Sequence, residues 1–426
     1  MLSNEIKRAY TEILKEELLP AMGCTEPIAI AYAASVLRDA LGADPKAVRI
    51  GLSGNIIKNV KSVTVPATGG MKGIAASVAA GIVSASPQKK LEVLCALGEG
   101  GIEKIKAYLS YAEIEIFELE TDEPFELDVV GTLKDHTASV HITGRHTNLV
   151  SVTKDSLDLT KKYSKNEAEI ESDSADRALL SVRDIVEFAE TVELAELEPV
   201  LRRQIELNTA IAKEGLKKSC GAAIGATIFA GGDCSLRDRA KAFAAAGSDA
   251  RMSGCEMPVC IISGSGNQGM TASLPVIVYS EHLGVDEETL LRALIVSDLI
   301  TVHQKTGIGC LSAYCGAISA GCGCGCGIAY LYGGRYYEIA HTLVNSIAIL
   351  SGTICDGAKP SCAAKIAMAV EAGILGYEMM RSGHQFYGGD GIVTKGVENT
   401  IQNVGKLARD GMGETDRQII KIMLGE

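Results

Sequence analysis

The sequence predicts an α+β fold, in which a large, mostly helical body is built from both ends of the chain and a small α/β domain is inserted between them. Three observations lead to this prediction. Apolar residues recur at helical spacing near both ends, the middle alternates apolar and polar residues as strands do, and 46 glycines with no tryptophan favour closely packed helices. We expect the division 1–86, 87–165 and 166–426.

Length and charge exclude several functional classes. The 426 residues carry a net charge of −12, whereas nucleic acids and anionic membranes select basic surfaces. No apolar run approaches the roughly 20 residues that span a bilayer, and the first residues lack the apolar stretch typical of a secretory signal. We therefore expect a cytoplasmic protein that binds neither nucleic acid nor membrane.

The first segment combines helices with strand-like residues. Residues 1–20 and 28–41 have helical periodicity, and Thr25 is a candidate N-cap for the second helix. Residues 48–66 alternate and predict strands. An Ala-rich helix over 74–85 is expected after a glycine turn.

The middle segment predicts a helix followed by antiparallel strands. The helix is expected over 100–110, and three alternating runs follow, AEIEIFELE, FELDVVGTL and TASVHITGRHTNLVSV. The charged residues 155–178 predict a solvated linker. Whether the small domain covers a site or supports a dimer is left open.

The last segment predicts helices with glycine-rich joints. Helices are expected over 181–192, 197–216, 238–247, 285–300, 337–350, 361–373 and 397–424. The joints include CGAAIGATIFAGGDC, SGSGNQG, SAGCGCGCG and GGDG. Pro275 argues against a helix directly after SGSGNQG, and thus against a dinucleotide-binding loop there. Asn267 and Gln268 instead suit a small carboxylate or amino group.

Thirteen cysteines are the strongest chemical signal, and eleven of them lie beyond residue 219. The odd number and the lack of an export signal argue against a disulfide framework. A single thiol is more often a small buried apolar side chain than a ligand. The run Cys322-Gly-Cys324-Gly-Cys326 has C-x-C spacing, unlike the common C-x₂-C metal motifs, so we interpret it as a thin helix packed against its neighbours.

Two other cysteine settings favour chemistry. Cys355 and Cys362 flank a loop at the start of a predicted helix, where the positive end of the helix dipole stabilises thiolates. Cys24 stands immediately before another predicted helix. The seven histidines show no ligand spacing, and each, including His303, is interpreted as a hydrogen-bonded structural residue.

Five motifs resemble those of the L-cysteine desulfidase family, which is related to the iron–sulfur L-serine dehydratases. They are MGCTEPIAIAYAAS, KNVKSVTVPATGG, SGSGNQG, H-x-K at 303–305 with SAYCGA, and SGTICDGAKPSC, and they span nearly the whole chain. The resemblance implies a carbon–sulfur lyase that converts L-cysteine to pyruvate, ammonia and hydrogen sulfide by non-redox β-elimination. It implies a 4Fe–4S cluster on Cys315, Cys355 and Cys362 with one iron not ligated by the protein, no pyridoxal phosphate, and Cys24 as the base.

The same resemblance assigns substrate binding and leaves alternatives open. The implied substrate-binding residues are Asn267, Gln268, Asn59, Thr68 and Gly69. An open iron binds hydroxyl as well as thiol, so an L-serine dehydratase-type lyase acting on a β-hydroxy or other β-substituted amino acid is the first alternative. A non-catalytic iron–sulfur or sulfur-carrier protein, which would need the ligands but not Cys24, is the second. A homodimer is left open.

Overall fold

The fold is of the predicted α+β class. The computed structural model describes residues 2–163, 175–217, 220–231, 234–309 and 311–425. It is 61% helical with 12% strand. Of the predicted linker 155–178, residues 164–174 lie outside the described residues. No helix in the described ranges is both long and apolar enough to cross a membrane.

Five helices form most of the first 111 residues. They are Asn4–Glu17, Thr25–Leu41, Gly54–Val60, Gly73–Ser84 and Gly101–Tyr111, with a 3₁₀ segment at Pro87–Ala96. The prediction of strands over 48–66 is wrong beyond residue 52. The helix Gly54–Val60 forms there because Ile56, Ile57 and Val60, at helical spacing, reach the core. Tertiary burial thus outweighs the β-propensity of this stretch.

The strands form one mixed sheet and one short pair. Their bounds are β1 Pro20–Met22, β2 Ala47–Leu52, β3 Glu113–Glu118, β4 Glu126–Leu133, β5 His136–Thr143, β6 Leu149–Lys154, β7 Leu157–Asp158 and β8 Pro258–Cys260. The sheet order is β3-β2-β4-β5-β6-β7, and β1 pairs with β8. The antiparallel prediction is confirmed for β4, β5 and β6. It is wrong for β3, which runs parallel to β2 because helices form the connection between them.

The sheet joins the first and middle segments of the chain. β2 lies between β3 and β4, so a strand from residues 1–86 is an inner strand of a sheet otherwise built from residues 113–158. Alternate residues of β4 and β5, such as Leu127, Val129 and Val140, are buried, and the helix Thr25–Leu41 packs against this part of the sheet. The division into three domains remains a prediction.

The remaining residues form a helical bundle, as predicted. Its helices are Thr160–Tyr163, Val182–Thr191, Glu198–Lys217, Ile224–Phe229, Leu236–Met252, Gly266–Leu283, Glu287–Ile308, Gly316–Leu331, Tyr336–Ile349, Cys362–Arg381, Val397–Lys406 and Gly413–Leu424, with short 3₁₀ turns at Arg177–Leu179 and Leu194–Glu196 and a π-turn at Leu407–Gly411. Pro275 does not prevent the helix Gly266–Leu283. Residues 268–280 are buried throughout, and their packing outweighs one lost backbone hydrogen bond.

The helix Gly316–Leu331 carries the CGCGC run through the centre of the bundle. It is a helix and not a joint, and its glycines lie where an added Cβ would collide with neighbouring backbone, Gly321 and Gly325 against the helix Cys362–Arg381. The Sγ atom of Cys324 donates to the Gly321 carbonyl at 3.1 Å. The interpretation of this run as a thin packed helix is confirmed.

Candidate functional site

One cavity of about 110 Å³ gathers residues from both ends of the chain. Seven of the nine residues singled out by sequence line it: Cys24, Asn59, Asn267, Gln268, Cys315, Cys355 and Cys362. Thr68 and Gly69 are not among its lining residues. The Thr68 hydroxyl donates to the Val65 carbonyl at 2.7 Å, and Gly69 is exposed.

The pairing of β1 with β8 brings the Cys24 loop to the start of the helix Gly266–Leu283. Cys24 is the N-cap of the helix Thr25–Leu41, one residue before the predicted N-cap. Thr25 instead donates from its hydroxyl to the Gly264 carbonyl at 2.7 Å and so ties the two loops together. Cys24 is 1% exposed and packs in a small cluster with Met252 and Cys362.

Burial favours the protonated form of the Cys24 thiol. Burial raises its pKa to about 12, although the guanidinium of Arg251 acts in the opposite direction. The position of Cys24 before a helix favours a thiolate, but the effect of burial on its pKa is larger. The sequence shows the first effect and not the second.

Cys315 and Cys355 lie on two extended segments that pair through one antiparallel bridge, Tyr314 with Ile354. The Cys315 amide donates to the Thr353 carbonyl at 3.1 Å, and the Cys355 amide donates to the Ala313 carbonyl at 2.6 Å. Because side chains alternate along paired strands, the two thiols lie diagonally on the face opposite Tyr314 and Ile354.

The third thiol, Cys362, is the first residue of the helix Cys362–Arg381. The loop between it and Cys355 is held by Asp356, whose carboxylate accepts hydrogen bonds from Lys359 and Lys365. Burial alone would raise the pKa of Asp356, but these two ammonium groups outweigh it and lower the pKa to about 2. The Cys362 Sγ atom points back into this loop, 3.7 Å from the Gly357 carbonyl.

Four helices begin at the cavity. They are Thr25–Leu41, Gly266–Leu283, Gly316–Leu331 and Cys362–Arg381, and their N-caps are Cys24, Ser265, Cys315 and Ser361. None of these four N-cap side chains accepts a hydrogen bond from its own helix. First-turn amides and the positive ends of four helix dipoles therefore point towards one small volume, which favours anions there.

Cys315, Cys355 and Cys362 all line the cavity, and thiolates are the side-chain ligands that iron–sulfur clusters use. Within the described ranges no three His, Cys, Asp or Glu side chains are close enough together to hold one metal ion. In a cubane each thiolate binds a different iron, so the sulfurs stand further apart than around one ion. Burial raises the pKa of Cys315 to about 12 and also raises that of Cys362, so metal binding would displace protons from these thiols.

Four buried polar atoms of cavity-lining residues have no hydrogen-bond partner among the residues that the structure describes. They are Asn59 Oδ1, His146 Nε2, Asn267 Oδ1 and Gln268 Oε1. Buried polar groups are almost always hydrogen-bonded in folded proteins, and leaving one unpaired costs about 1–3 kcal/mol. Their grouping around one cavity indicates a polar ligand.

Arg251 is a site residue that the sequence analysis missed. It is 3% exposed, and its Nε donates to the Gly23 carbonyl at 2.9 Å, next to Cys24. An added Cβ on Gly266 would come within 2.6 Å of the same Nε atom. The sequence feature that could have identified it is a single arginine at the end of the Ala-rich helical run AAAGSDARM. A charged residue in such a buried helix needs a partner or a function.

Glu26, Lys305 and His146 are among the other charged or polar lining residues to which the sequence assigned no role. Glu26 and Lys305 lie inside quoted motifs, and His146 comes from the loop between β5 and β6. The interpretation of His303 as a hydrogen-bonded structural residue is confirmed by its Nε2, which lies 2.7 Å from Glu398 Oε2. His146 was interpreted in the same way, but its Nε2 has no hydrogen-bond partner among the described residues, so the interpretation is wrong for this atom.

Comparison with known proteins identifies the family. The family described as serine dehydratase alpha chain matches residues 88–421. A UPF0597 protein of Desulfitobacterium hafniense is 54% identical over 98% of this chain and 97% of its own, and one of Treponema denticola is 44% identical over 97% of both chains. The relation to the serine dehydratases expected from the motifs is confirmed, and it supports a lyase. This chain belongs to the serine dehydratase alpha chain family.

Proposed function

We propose that this protein is an L-cysteine desulfidase, which eliminates sulfide from L-cysteine to give pyruvate, ammonia and hydrogen sulfide. The observation that carries the proposal is the convergence on one cavity of Cys24, three further thiols and the uncapped starts of four helices. Cys315, Cys355 and Cys362 would hold a 4Fe–4S cluster. When bound, a cluster with one iron not ligated by the protein supplies a Lewis acid that makes a thiol or hydroxyl a better leaving group.

The start of the helix Gly266–Leu283 suits the substrate carboxylate. The Asn267 and Gln268 side chains lie there beside the first-turn amides, and either amide group can turn its NH₂ towards an anion. Arg251 adds a buried positive charge at the same place, since it packs against Gly266. A carboxylate held by these groups would orient the amino acid within the cavity.

Cys24, once its thiol has lost its proton to solvent, is proposed as the base that takes the proton from Cα. It lies beside Cys362 and faces the same cavity, which is the geometry that a general base needs. The Cα–H bond breaks towards Cys24, its electron pair forms the Cα=Cβ bond, and the Cβ–S bond breaks with its pair on sulfur. The released aminoacrylate tautomerises to an imine and takes up water to give pyruvate and ammonia, so no redox partner and no pyridoxal phosphate are needed.

Dehydration of L-serine or another β-substituted amino acid is the second candidate. The family match to the serine dehydratase alpha chain favours it. The two substrates share the amino acid head group and differ only in the atom that leaves Cβ. Parallel assays of sulfide release from L-cysteine and pyruvate formation from L-serine separate them.

The test begins with anaerobic purification, followed by iron and sulfide analysis and the two assays. Cys24→Ser should keep the iron content and cluster absorbance while losing turnover. Alanine at Cys315, Cys355 or Cys362 should lose iron, whereas alanine at Cys322, Cys324 or Cys326, which are matched buried thiols outside the cavity, should keep it.

Three outcomes would contradict the proposal. Wild-type protein that is colourless and contains no iron would contradict the proposed cluster. A Cys24→Ser variant with wild-type turnover would contradict the assignment of Cys24 as the base. Iron and absorbance without turnover of either amino acid would favour a non-catalytic iron–sulfur or sulfur-carrier protein.

A further inference from the structure

The acidic end of the cavity holds three acceptors that the reaction described above does not use. Glu26 is the one carboxylate among the described residues that line the cavity, and Arg251, Lys305 and Lys365 line it as well. A cationic group of a ligand would therefore be held most favourably beside Glu26.

Glu26 retains acceptor capacity although it has two polar neighbours. Its Oε1 accepts from Asn59 Nδ2 at 3.0 Å. Its Oε2 lies 3.2 Å from the Thr25 hydroxyl, but that hydroxyl has one proton, and its shorter contact, 2.7 Å, goes to the Gly264 carbonyl. Oε2 is therefore left to accept from another donor.

The hydrogen bond to Glu26 also fixes the orientation of the Asn59 amide. Because Asn59 donates to Glu26 through Nδ2, its Oδ1 is the atom presented elsewhere, and this atom is buried without a partner. A second acceptor is thus placed next to the carboxylate.

His146 supplies a third acceptor from the loop between β5 and β6. Its Nε2 is buried and unpaired, and its ring is fixed by Phe125, at 4.6 Å between ring centres, and by the close approach of Gly264. Burial lowers the pKa of His146 although Glu26 raises it, so the imidazole stays neutral and one ring nitrogen remains an acceptor. His146 is the one cavity-lining residue drawn from 87–165 among the described residues.

We propose that Glu26, Asn59 and His146 form the binding pocket for the α-ammonium group of the amino acid substrate. An ammonium group has three N–H donors, and the pocket offers a carboxylate, an amide oxygen and an imidazole nitrogen. The loop between β5 and β6 thereby contributes directly to substrate recognition. This assignment rests on the proposed function, because it assumes that an amino acid occupies the cavity.

The experiment measures head-group recognition with and without turnover. His146→Phe removes the ring nitrogens and keeps an aromatic ring, His146→Gln keeps a polar atom near Nε2, and Glu26→Gln removes the charge. His141→Phe is the matched control, since His141 lies on β5, the strand that leads into the loop with His146, is outside the cavity, and pairs with Glu126 at 3.5 Å. Three measurements are compared: turnover kinetics with L-cysteine, which give KM and kcat; inhibition by 3-mercaptopropionate, which lacks the amino group; and calorimetric binding of L-alanine, which has no leaving group.

We expect His146→Phe and Glu26→Gln to raise KM for L-cysteine and Kd for L-alanine by about tenfold or more, the size of one lost hydrogen bond to a charged group. Inhibition by 3-mercaptopropionate should stay within about twofold of wild type, because it presents no ammonium group to the pocket. His146→Gln should recover part of the loss, and His141→Phe should behave as wild type.

Two results would overturn the assignment. One is unchanged binding of L-alanine in both His146→Phe and Glu26→Gln. The other is an equal loss of affinity for 3-mercaptopropionate and L-cysteine, which would indicate general damage to the cavity. If the wild type turns over neither L-cysteine nor L-serine, the proposed function fails, while L-alanine calorimetry still decides the ammonium pocket.

Discussion

Replacing Gly266 with alanine tests whether the position of Arg251 matters for activity. A Cβ at residue 266 would overlap with Val259 Cγ2 and lie 2.6 Å from Arg251 Nε, both inside van der Waals contact. Val259 and Arg251 are both buried, and the longer Arg251 side chain, which has more rotatable bonds, is the one that can shift. Moving it breaks the hydrogen bond from Nε to the Gly23 carbonyl, which links Arg251 to the Cys24 loop.

The expected magnitudes follow from these contacts. A hydrogen bond that involves a charged group contributes about 1.5–3 kcal/mol, and overpacking a core costs about 1–3 kcal/mol. If the first loss is felt in the transition state, kcat/KM falls about 10- to 150-fold, since about 1.4 kcal/mol is a factor of ten. The free energy of unfolding should fall by about 1–3 kcal/mol from the overpacking.

Gly413→Ala is the matched control. Gly413 is also the first residue of a helix, but no heavy atom lies within 4 Å of an added Cβ there. Alanine in place of glycine then restricts the unfolded chain and stabilises by about 0.4–1 kcal/mol. Sulfide release and urea unfolding are measured for both variants. If Gly266→Ala keeps the wild-type kcat/KM, the proposed role of Arg251 beside the helix start is wrong.

Three further predictions concern the interior. Burial raises the pKa of Asp298 to about 8, so the folded protein keeps a proton there that the unfolded chain loses near pH 4. The free energy of unfolding should therefore fall as the pH rises from about 4 to 8, and Asp298→Asn, which is neutral throughout, should remove part of this fall in urea titrations at pH 5 and 8. Cys324→Ala should lower the free energy of unfolding by about 1–2 kcal/mol, as for other single buried atoms, with iron content unchanged by elemental analysis. Lys58→Met should lower the free energy of unfolding by about 3–5 kcal/mol in urea titrations, because it leaves the buried carboxylate of Asp416 without its partner. The double variant Lys58→Met with Asp416→Leu should lose less, because no unpaired charge remains.

The sequence predicted best the helices whose local signals agree with their packing. The Ala-rich run 74–85 and residues 197–216 are helical to within a residue, at Gly73–Ser84 and Glu198–Lys217. The errors occurred where packing decides the conformation. Pro275 marks a helix end by local rules, yet it lies inside a helix that is buried on all sides.

The sequence alone identifies those candidate site residues whose chemistry does not depend on tertiary contacts. Cys24 and the thiols at 315, 355 and 362 could be selected because thiol chemistry and motif resemblance belong to the residues themselves. Arg251 and His146 could not, since their roles arise from tertiary contacts. Arg251 reaches the cavity by packing on Gly266, and His146 reaches it from a loop between two strands whose position relative to the helices the sequence does not give.

The four helix starts give the cavity its electrostatic character, and no single motif reveals it. Each helix end contributes about 0.3–1 kcal/mol towards an anion at favourable geometry, so four of them offset part of the burial that raises the pKa of Cys24 and Cys315. The same residues can therefore carry neutral thiols when no ligand is bound and hold anionic groups when one is bound.

Glu26 is the one acidic side chain among the described lining residues. The cavity therefore presents a large positive region and a small negative one. That asymmetry matches a zwitterion whose carboxylate lies at the start of the helix Gly266–Leu283 and whose ammonium group lies at Glu26. It fits a free amino acid better than a peptide, whose backbone amides carry neither charge.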